Sequence, residues 1–541
     1  MMRGFVFFAV ACLALAGPLH AQSSSGTAGH PQSEAAFLEP GKPLERTLQG
    51  GETHVYAIRA ETGQFLHAIA DQLGIDVALT LYAPDGKPIG SMDSPNGTFG
   101  LEQISTIAEA PGIYRLEVAS GDKDVPAGRY RVTVEPFRAP RNQDRARISA
   151  ERMFAEAVQM QGQGSADSFR IAIQKYVASL PLWRTAGDGY EEALTQDSIG
   201  DAYSDLGENQ KALDYYNQAL PLMRAVGDRA GEAATLYHIG GVYSALGENQ
   251  KALDSYNQAL PLMRAVGNRT GEAVTLTKIG AVYSDLGEKQ KALDYYNQAL
   301  PLERAVGDRA GEAVTLNNIG GVYDGLGEKQ KALDYYNQAL PLERAVGNRA
   351  GEANTLCNIG SVYDDLGEKQ KALDYYNQAL PLMRAVGNRA GEATTLNNIG
   401  KVYDDLGEKQ KALDYLNQAL PLMRAVGNRA GEAGTLNNIG GVYNALGEKQ
   451  KALDYYNQAL PLMRAVGNRA GEATTLNNIG SVYRAVVARH FPSRHRPGGA
   501  ADRRFPSGRN RSGWGQSPPR SVPVVPERAN PHPSPPTPPT G

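Results

Sequence analysis

The sequence contains only two cysteines, Cys12 and Cys357, among 541 residues. Two cysteines allow at most one intrachain disulfide, and Cys12 falls in an N-terminal segment that we expect to be removed. We therefore predict no disulfide. Cys357 occupies a position where sister copies of a repeated segment carry asparagine, which argues against a role as a nucleophile.

A strong charge imbalance and a long apolar run are also missing. The formal net charge is −3, with 21% charged and 41% hydrophobic residues. Such a balance excludes a partner held mainly by bulk electrostatics, so we expect no nucleic-acid binding. The apolar run from Phe5 to Ala16 is too short for a stable membrane span.

Motifs that carry catalytic chemistry are absent from the sequence. It has no Gly-x-Ser-x-Gly, no His-Glu-x-x-His, no phosphate-binding glycine-rich loop with lysine and no cysteine pair at metal-ligand spacing. The eight histidines are scattered, and His238 is more typical of a surface residue than of a ligand. We predict a protein that is not an enzyme and has no catalytic residues, cofactor or metal.

What the sequence does contain is a segment of forty residues that recurs eight times. A glycine that follows isoleucine marks each copy, at Gly200, Gly240, Gly280, Gly320, Gly360, Gly400, Gly440 and Gly480. A fixed period in this range is the mark of a stacked-repeat architecture. Residues 313–352 serve below as the representative copy.

Each copy has the pattern of two helices. In the first half Leu316, Ile319, Tyr323 and Leu326 recur at helical spacing. The second half has a matching apolar stripe, formed by Ala332, Leu333, Tyr336, Ala339 and Leu340. The pattern predicts a helix hairpin that buries both apolar stripes only when neighbouring hairpins stack.

Turn and cap residues agree with this hairpin. Gly327 and Gly347 are placed to end the two helices in a left-handed conformation. Glu328 suits the positive end of the second helix, and Asn348 can cap the next first helix through its side-chain oxygen.

Two residues are unusual for helix interiors. Gly320 costs about 1 kcal/mol relative to alanine, so we predict that the facing helix approaches closely here, with Ala332 and Ala339 opposite. Pro341 would kink a helix. We expect the second helix to bend there and continue to Val346, and the alternative is a helix that ends at Leu340.

This pattern resembles the tetratricopeptide repeat (TPR). The hallmark positions of that family match Leu316, Ile319, Gly320, Tyr323, Gly327, Ala332, Tyr336 and Ala339. The copies here are longer than the usual repeat of about 34 residues, and the surplus lies in residues 341–352. The resemblance covers residues 150–486 and implies a mainly α fold, a right-handed α-solenoid of helix hairpins, whose concave groove binds peptides.

The N-terminus has the features of a secretory signal over residues 1–21. Arg3 precedes the apolar run, and Leu19-His20-Ala21 suits cleavage before Gln22. We therefore expect an exported protein, periplasmic or secreted, with a flexible linker over residues 22–37. A lipoprotein anchored through Cys12 and a buried N-terminal helix are less favoured alternatives.

Residues 38–137 change to a period of two. Strand-like segments occur at residues 53–60, 65–71, 77–82, 101–108, 113–118 and 129–134, separated by glycine, proline and aspartate. They predict a β-sandwich. The segments Asp76–Gly86, Pro111–Val118 and Gly128–Tyr130 look like those of the bacterial pre-peptidase C-terminal domain. Asp71, Asp76 and Asp85 could bind calcium, although turn aspartates that bond their own backbone are the favoured interpretation.

The remaining boundaries follow from composition. We predict a charged linker at 138–147, a divergent capping repeat at 148–192, seven regular repeats at 193–472 and a truncated repeat at 473–486. Residues 487–541 contain no lysine, leucine, isoleucine, tyrosine or methionine. They are either a natural disordered basic tail or, as we favour, the product of a frameshift.

Differences among the copies concentrate on the first helix. With Ala313 as position 1, variation is greatest at positions 2, 5, 6, 9, 12 and 13. Five of these positions, all but position 6, lie on the side away from the apolar stripe. Exposed residues of the second helix, such as Asp334 and Asn337, barely vary. We interpret the variable side as a recognition surface, and the alternative is free drift of exposed positions.

Amides and carboxylates dominate this predicted groove. An amide can both donate to and accept from a peptide backbone, and aspartates outnumber lysines. The partner expected is a protein or peptide segment that is basic or presents its backbone. The candidate groove residues are Asn317, Asn318, Asp324, Asn358, Asp364, Asn397, Asn398, Lys401, Asp404, Asn437, Asn438, Asn477 and Asn478.

Two functions agree with these observations. The first is an exported, non-catalytic scaffold that binds peptide segments in the groove. The alternative is the N-terminal part of a caspase-like peptidase, because similar bacterial repeats precede a CHAT domain with a His/Cys pair. Nothing after Ser481 supplies that pair.

Overall fold

The structure is a computed structural model that describes residues 35–490 apart from Asp122 and Asp124, with side chains described up to Val486. The predicted signal segment, most of the linker at 22–37 and nearly all of the tail at 487–541 lie outside the described residues. Within these described residues, nine strands come first and seventeen helices follow.

The N-terminal strands form two sheets packed face to face. The strands are β1 Ala36–Phe37, β2 Leu44–Leu48, β3 Thr53–Ala60, β4 Phe65–Leu73, β5 Ala78–Tyr82, β6 Pro88–Met92, β7 Phe99–Ile107, β8 Gly112–Ala119 and β9 Gly128–Val134. One sheet has the order β1-β3-β8-β5-β6 and the other β2-β9-β4-β7. Alternate side chains such as Ile58, Leu79, Leu116 and Val132 fill the core between them. The predicted β-sandwich is confirmed.

The six strands expected from the sequence are all present, and three more were missed. β1, β2 and β6 each lie at the edge of a sheet. β2 exposes three consecutive side chains, and β6 begins at Pro88 and includes Gly90. Edge strands bury little surface, so their sequences lack the alternation on which the prediction depended.

The helices form antiparallel pairs from Asn142 onward. Their bounds are α1 Asn142–Gln161, α2 Ala166–Ala186, α3 Gly189–Asp205, α4 Asn209–Val226, α5 Arg229–Ala245, α6 Asn249–Val266, α7 Arg269–Asp285, α8 Lys289–Val306, α9 Arg309–Gly325, α10 Lys329–Ala345, α11 Arg349–Asp365, α12 Lys369–Ala385, α13 Arg389–Asp405, α14 Lys409–Ala425, α15 Arg429–Ala445, α16 Lys449–Ala465 and α17 Arg469–His490. Each regular repeat supplies one pair, called here its first and second helix. None of the described helices combines the length and apolar character needed to cross a bilayer.

The ends of the helices follow the sequence signals. Gly327 and Gly347 adopt positive φ values of 79° and 68°, as expected for residues that end helices. The Asn348 side chain accepts a hydrogen bond from the Gly351 amide at 3.0 Å and so caps α11. Glu328 makes no side-chain cap bond and instead pairs with Lys331 at 2.5 Å.

Of two predictions about the repeat, the structure confirms one and contradicts the other. Pro341 lies inside α10, which continues to Ala345, so the favoured interpretation of a continuing helix is confirmed. Leu326 was expected in the apolar stripe, and that prediction was wrong. It follows the end of α9 and is 47% exposed, because helical spacing no longer applies beyond the last turn.

The sandwich and the repeats meet through a buried polar contact. Glu151 on α1 accepts hydrogen bonds from the Ser105 amide at 2.8 Å and the Ser105 hydroxyl at 2.7 Å. Gln103 on β7 donates to Glu191 on α3 at 3.1 Å. The helix α1 begins at Asn142, inside the stretch predicted as a linker, because Asp144 pairs with Arg138 and orders this segment.

Candidate peptide-binding surface

The residues at positions 5, 6, 9 and 12 of the first helices are called here the first-helix surface. Neighbouring first helices, such as α9 and α11, contact one another directly. Successive second helices approach each other less closely. The first-helix surface therefore lies on the inner side of the stacked repeats.

Asparagine pairs link adjacent repeats across this surface. The Asn358 side-chain amide donates to Asn317 Oδ1 at 3.2 Å. Two repeats further along the chain, the Asn438 side-chain amide donates to Asn397 Oδ1 at 3.1 Å. Asn478 donates to Asn437 Oδ1 at 3.3 Å. These three pairs contain six of the thirteen residues predicted for the groove.

Each asparagine pair leaves hydrogen-bonding groups unused. Thr355 donates a second bond to Asn317 Oδ1 at 3.4 Å, so this oxygen has two donors. Within the described residues no protein atom bonds the Asn317 amide nitrogen or the Asn358 amide oxygen. Both side chains are half-buried, so one donor and one acceptor of the pair face outward in part. A peptide backbone offers the complementary acceptor and donor.

The predicted aspartates have lysine partners that the sequence did not reveal. Lys329 pairs with Asp324 at 2.7 Å and with Asp365 of the next repeat at 2.6 Å. Lys409 pairs with Asp404 at 2.6 Å. These lysines stand at the start of the second helices, so the surface carries less unpaired negative charge than the aspartate count suggests.

Asp364 is the most enclosed of these aspartates. It is buried and accepts from Lys369 at 2.5 Å and from Lys401 at 2.8 Å. Burial alone would raise the pKa of Asp364, but the hydrogen bonds from the two lysines hold that pKa below its usual value. Lys401, the one lysine predicted for the groove, is therefore tied to the preceding repeat.

The remaining predicted residues have looser surroundings. Asn398 accepts from Asn397 at 3.5 Å. Asn318 is half-buried and Asn477 is exposed, and neither has a side-chain partner within the described residues.

Sequence reasoning missed a charged cluster at the N-terminal end of this surface. His238 Nδ1 lies 3.2 Å from Asp197 and 3.4 Å from Asp201. Thr235 donates to Asp197 at 2.7 Å and Tyr216 to Asp201 at 2.6 Å. Asp197 and His238 stand at positions 5 and 6 of adjacent repeats, where the later repeats carry the asparagine pairs. His238 was expected on the surface, but it is half-buried and ion-paired.

The electrostatics of this cluster favour a charged histidine. Burial would lower the pKa of His238, but the Asp201 and Asp197 carboxylates raise it to about 10. The imidazole and two carboxylates also offer ligand atoms within 4.8 Å of one another, a chemistry able to hold a divalent cation. When His238 is protonated, its own positive charge pairs with the same two carboxylates in place of a cation.

The other residues considered as a nucleophile or as metal ligands do not form a common site. Cys357 packs among apolar residues with its sulfur 3.0 Å from the Thr395 hydroxyl, and burial raises the pKa of its thiol to about 11. Asp85 bonds the Lys87 amide at 3.1 Å, as expected for a turn aspartate. Asp71 pairs with Arg131 at 3.5 Å, and Asp71, Asp76 and Asp85 form no metal-ligand group within the described residues.

Comparison with family models identifies the repeats. A tetratricopeptide-repeat model matches residues 231–305, 313–385, 352–425 and 431–486, and a second one matches residues 196–222. The chain belongs to the tetratricopeptide-repeat family. The matches cover the array that carries the first-helix surface, so the asparagine pairs lie on the TPR helices themselves. Comparison with curated protein sequences gave no match.

Several solved structures are similar to this chain. The apo form of the quorum sensor NprR from B. thuringiensis is 18% identical, with a TM-score of 0.49 over 59% of this chain and 88% of that one. The apo form of RapI is 17% identical, with a TM-score of 0.44 over 51% and 99%. A signal-transduction ATPase with a TPR sensor, PH0952 from Pyrococcus horikoshii, is 14% identical, with a TM-score of 0.47 over 62% and 55%. These likenesses concern the helical fold alone.

Proposed function

We propose that this TPR protein is a non-catalytic scaffold that holds an extended peptide segment of a partner protein along its first-helix surface. The observation that carries the proposal is the row of asparagine pairs between repeats. In the Asn317–Asn358 and Asn437–Asn478 pairs one amide donor and one amide acceptor have no partner within the described residues, whereas in the Asn397–Asn438 pair the amide nitrogen of Asn397 donates to Asn398. Pairs at three of the junctions between described repeats suit a ligand whose own donors and acceptors recur, which is a peptide backbone.

The charges of the surface bear on what the peptide carries. Asp324, Asp364 and Asp404 each have a lysine partner, so a basic side chain of the ligand would compete with Lys329, Lys369 or Lys409. Asp365 and Asp405 pair with Lys329 and Lys369 at 2.6 Å, but they are more exposed, at 48% and 42% of their side chains. We infer that backbone recognition contributes most of the affinity and that a basic partner side chain adds to it at the exposed aspartates.

Export is part of the same proposal. The segment at residues 1–21 has the charge and apolar pattern of a secretory signal. N-terminal sequencing of the protein recovered from its native host tests this, and we expect a mature chain that starts at Gln22. A chain that retains Met1 or Met2 in the cytoplasm would contradict export.

The binding test uses peptides selected from a random library against the full chain. The key variant replaces Asn317, Asn358, Asn397 and Asn438 with alanine. The matched control replaces four exposed second-helix asparagines, Asn337, Asn377, Asn417 and Asn457, in the same way. We expect the key variant to lose at least about tenfold in affinity, since several backbone bonds disappear together.

The control variant should bind as the parent does. Circular dichroism and thermal melting establish that both variants remain folded. Equal affinity of both variants for the selected peptides would overturn the proposal, because the binding surface would then lie elsewhere.

A further inference from the structure

One position near the end of each second helix is buried in all seven regular repeats. Five repeats carry methionine there, and each of these side chains is at most 5% exposed: Met223, Met263, Met383, Met423 and Met463. Two adjacent repeats in the middle of the array carry Glu303 and Glu343 at this position. The two glutamates are as deeply buried as the methionines, at 1% and 2% exposure. An ionisable group thus replaces an apolar side chain at two successive joints between repeats.

Glu303 on α8 contacts the first helices on both sides of it. Its Oε1 accepts hydrogen bonds from the Thr315 hydroxyl on α9 at 2.7 Å and from the Thr277 hydroxyl on α7 at 3.2 Å. Its Oε2 is buried and has no hydrogen-bond partner among the described residues. A buried oxygen without a partner costs more free energy on a charged carboxylate than on a neutral carboxyl group. This joint therefore favours protonated Glu303.

Glu343 on α10 lies against the first turn of the next first helix, α11. Its Oε2 contacts Gly351 at the place where the sulfur of Met423 contacts Gly431 in a later repeat. This oxygen is also buried, and no atom in the described part of the chain bonds it. The Asn348 side chain hydrogen-bonds the carboxyl group. The end of Glu343 thus occupies a site that other repeats fill with an uncharged atom.

The charged groups around the two buried glutamates do not neutralise them. Arg304 and Arg344 are close in sequence, but they pair with Glu312 and Glu352, each at 2.6 Å. Asp308 and Glu312 face the first buried glutamate, and Glu352 faces the second. Within the described residues no cation pairs with either buried carboxyl group. The facing carboxylates therefore oppose its ionisation.

Both glutamates titrate near neutral pH as a result. Burial raises the pKa of Glu303 and the pKa of Glu343 to about 7, and the facing carboxylates add to this rise. The hydrogen bonds from Thr315, Thr277 and Asn348 oppose it. The ordinary glutamate pKa is 4.5, so an opened joint loses these protons at lower pH than a closed one. The stability of the closed joint is therefore greatest below that ordinary value and falls as the pH rises to about 7.

We propose that Glu303 and Glu343 make the middle of the TPR array a pH-controlled joint. At acidic pH the protonated carboxyl groups pack as the methionines do, and the helices α8–α11 stay closed. At alkaline pH the charged carboxylates favour contact with water, so these helices separate locally. The repeats with methionine stay closed at both pH values. The conformation of the array thus follows the pH of its surroundings at two joints.

Hydrogen exchange of the full chain, measured by mass spectrometry at about pH 5 and about pH 8, tests this inference. Exchange times are corrected for the intrinsic effect of pH on amide exchange. We expect the opening constant of α8–α11 to rise at least about tenfold more between these pH values than that of α12–α15. This expectation follows from a pKa that changes from about 7 in the closed joint to 4.5 in the open one. An equal pH response of both segments would overturn the proposal.

Two variants assign the response to the buried carboxyl groups. Glu303→Met combined with Glu343→Met gives these joints the side chain that the other repeats carry, so the extra pH response should disappear. Met423→Glu is the reverse change at a matched joint, since Asn428 and Glu432 repeat the surroundings of Glu343. We expect this variant to gain a pH response in α14 and α15.

Circular dichroism at about pH 5 establishes that each variant is folded under the conditions in which the carboxyl groups are protonated. A pH response that persists in the double methionine variant would overturn the proposal. A folded Met423→Glu chain without a new response would also overturn it, because a buried carboxyl group at this position would then not control the joint.

Discussion

The ring of Tyr336 lies where a side chain on Gly320 would be. A Cβ on Gly320 would come within 2.6 Å of Tyr336 Cε1, closer than carbon atoms approach without strain. This relationship joins the first and second helices of the repeat. The neighbouring Gly321 differs, since a Cβ there would lie 3.6 Å from the Tyr336 hydroxyl, an ordinary contact.

Gly320→Ala should therefore destabilise its repeat although alanine favours a helix. Overpacking costs about 1–3 kcal/mol, against a gain of about 1 kcal/mol in helix propensity. Gly321→Ala serves as the control and should be neutral or stabilising. Hydrogen exchange measured by mass spectrometry should show faster exchange in α9 and α10 for the first variant only. Slower exchange for both variants would show that the ring moves aside freely.

His238 should stay protonated well above neutral pH. The Asp201 and Asp197 carboxylates raise its pKa to about 10 in the folded chain, although burial opposes them. Because the pKa of His238 is higher in the folded chain than in the unfolded chain, the ion pair contributes fully to the free energy of unfolding when the pH is below the ordinary histidine pKa. That contribution is lost as the pH rises through about 10.

An NMR titration of the histidine ring protons measures this, with His238→Asn to assign the signal. Asp197→Asn should lower the pKa of His238. His54 is a reference in the same spectrum, because burial lowers its pKa below the ordinary value. A His238 signal that titrates together with that of His54 would contradict the described ion pair.

Glu151 should be essential to the junction between the sandwich and the TPR array. Its two oxygens accept from the Ser105 amide and hydroxyl. Glu151→Leu leaves both donors unbonded, at a cost of about 1–3 kcal/mol for each buried group. Glu151→Gln keeps both bonds, because its carbonyl accepts from the amide and its NH2 donates to the hydroxyl. Thermal melting should therefore separate the two variants, and equal melting temperatures would argue against the contact.

The thiol of Cys357 should react slowly in the folded protein. Burial raises its pKa to about 11, and the thiolate is the reactive form. Iodoacetamide at mildly alkaline pH, followed by mass spectrometry of the peptide that contains Cys357, measures the rate. We expect little labelling until denaturant is added. Rapid labelling of the native chain would show that α11 opens locally.

Much of the fold could be predicted from the sequence because each copy repeats the same signals. The caps at Asn348 and Gly347 and the apolar positions such as Leu316 and Ile319 are local features, and eight copies confirm one another. The edge strands β2 and β6 could not be found in this way, since they bury too few side chains to show a period. Leu326 was misplaced because the period was continued past the end of the helix.

The candidate site was predicted less completely, since its contacts cross from one helix to another. The periodicity of α9 indicates which side chains share its face but not that Lys329, on the next helix, neutralises Asp324. The asparagine link joins position 5 of one repeat to position 6 of the next, as between Asn317 and Asn358. The same offset joins Asp197 to His238, so aligning those two positions across neighbouring copies could have found the charged cluster.

The most direct test of the peptide-binding account is photo-crosslinking of a library-selected peptide that carries a benzophenone group. Mass spectrometry then locates the crosslinked residues on the full chain. We predict crosslinks on the first-helix surface, at or next to Asn317, Asn358, Asn397 and Asn438. Crosslinks confined to the second helices or to the β-sandwich would contradict the account.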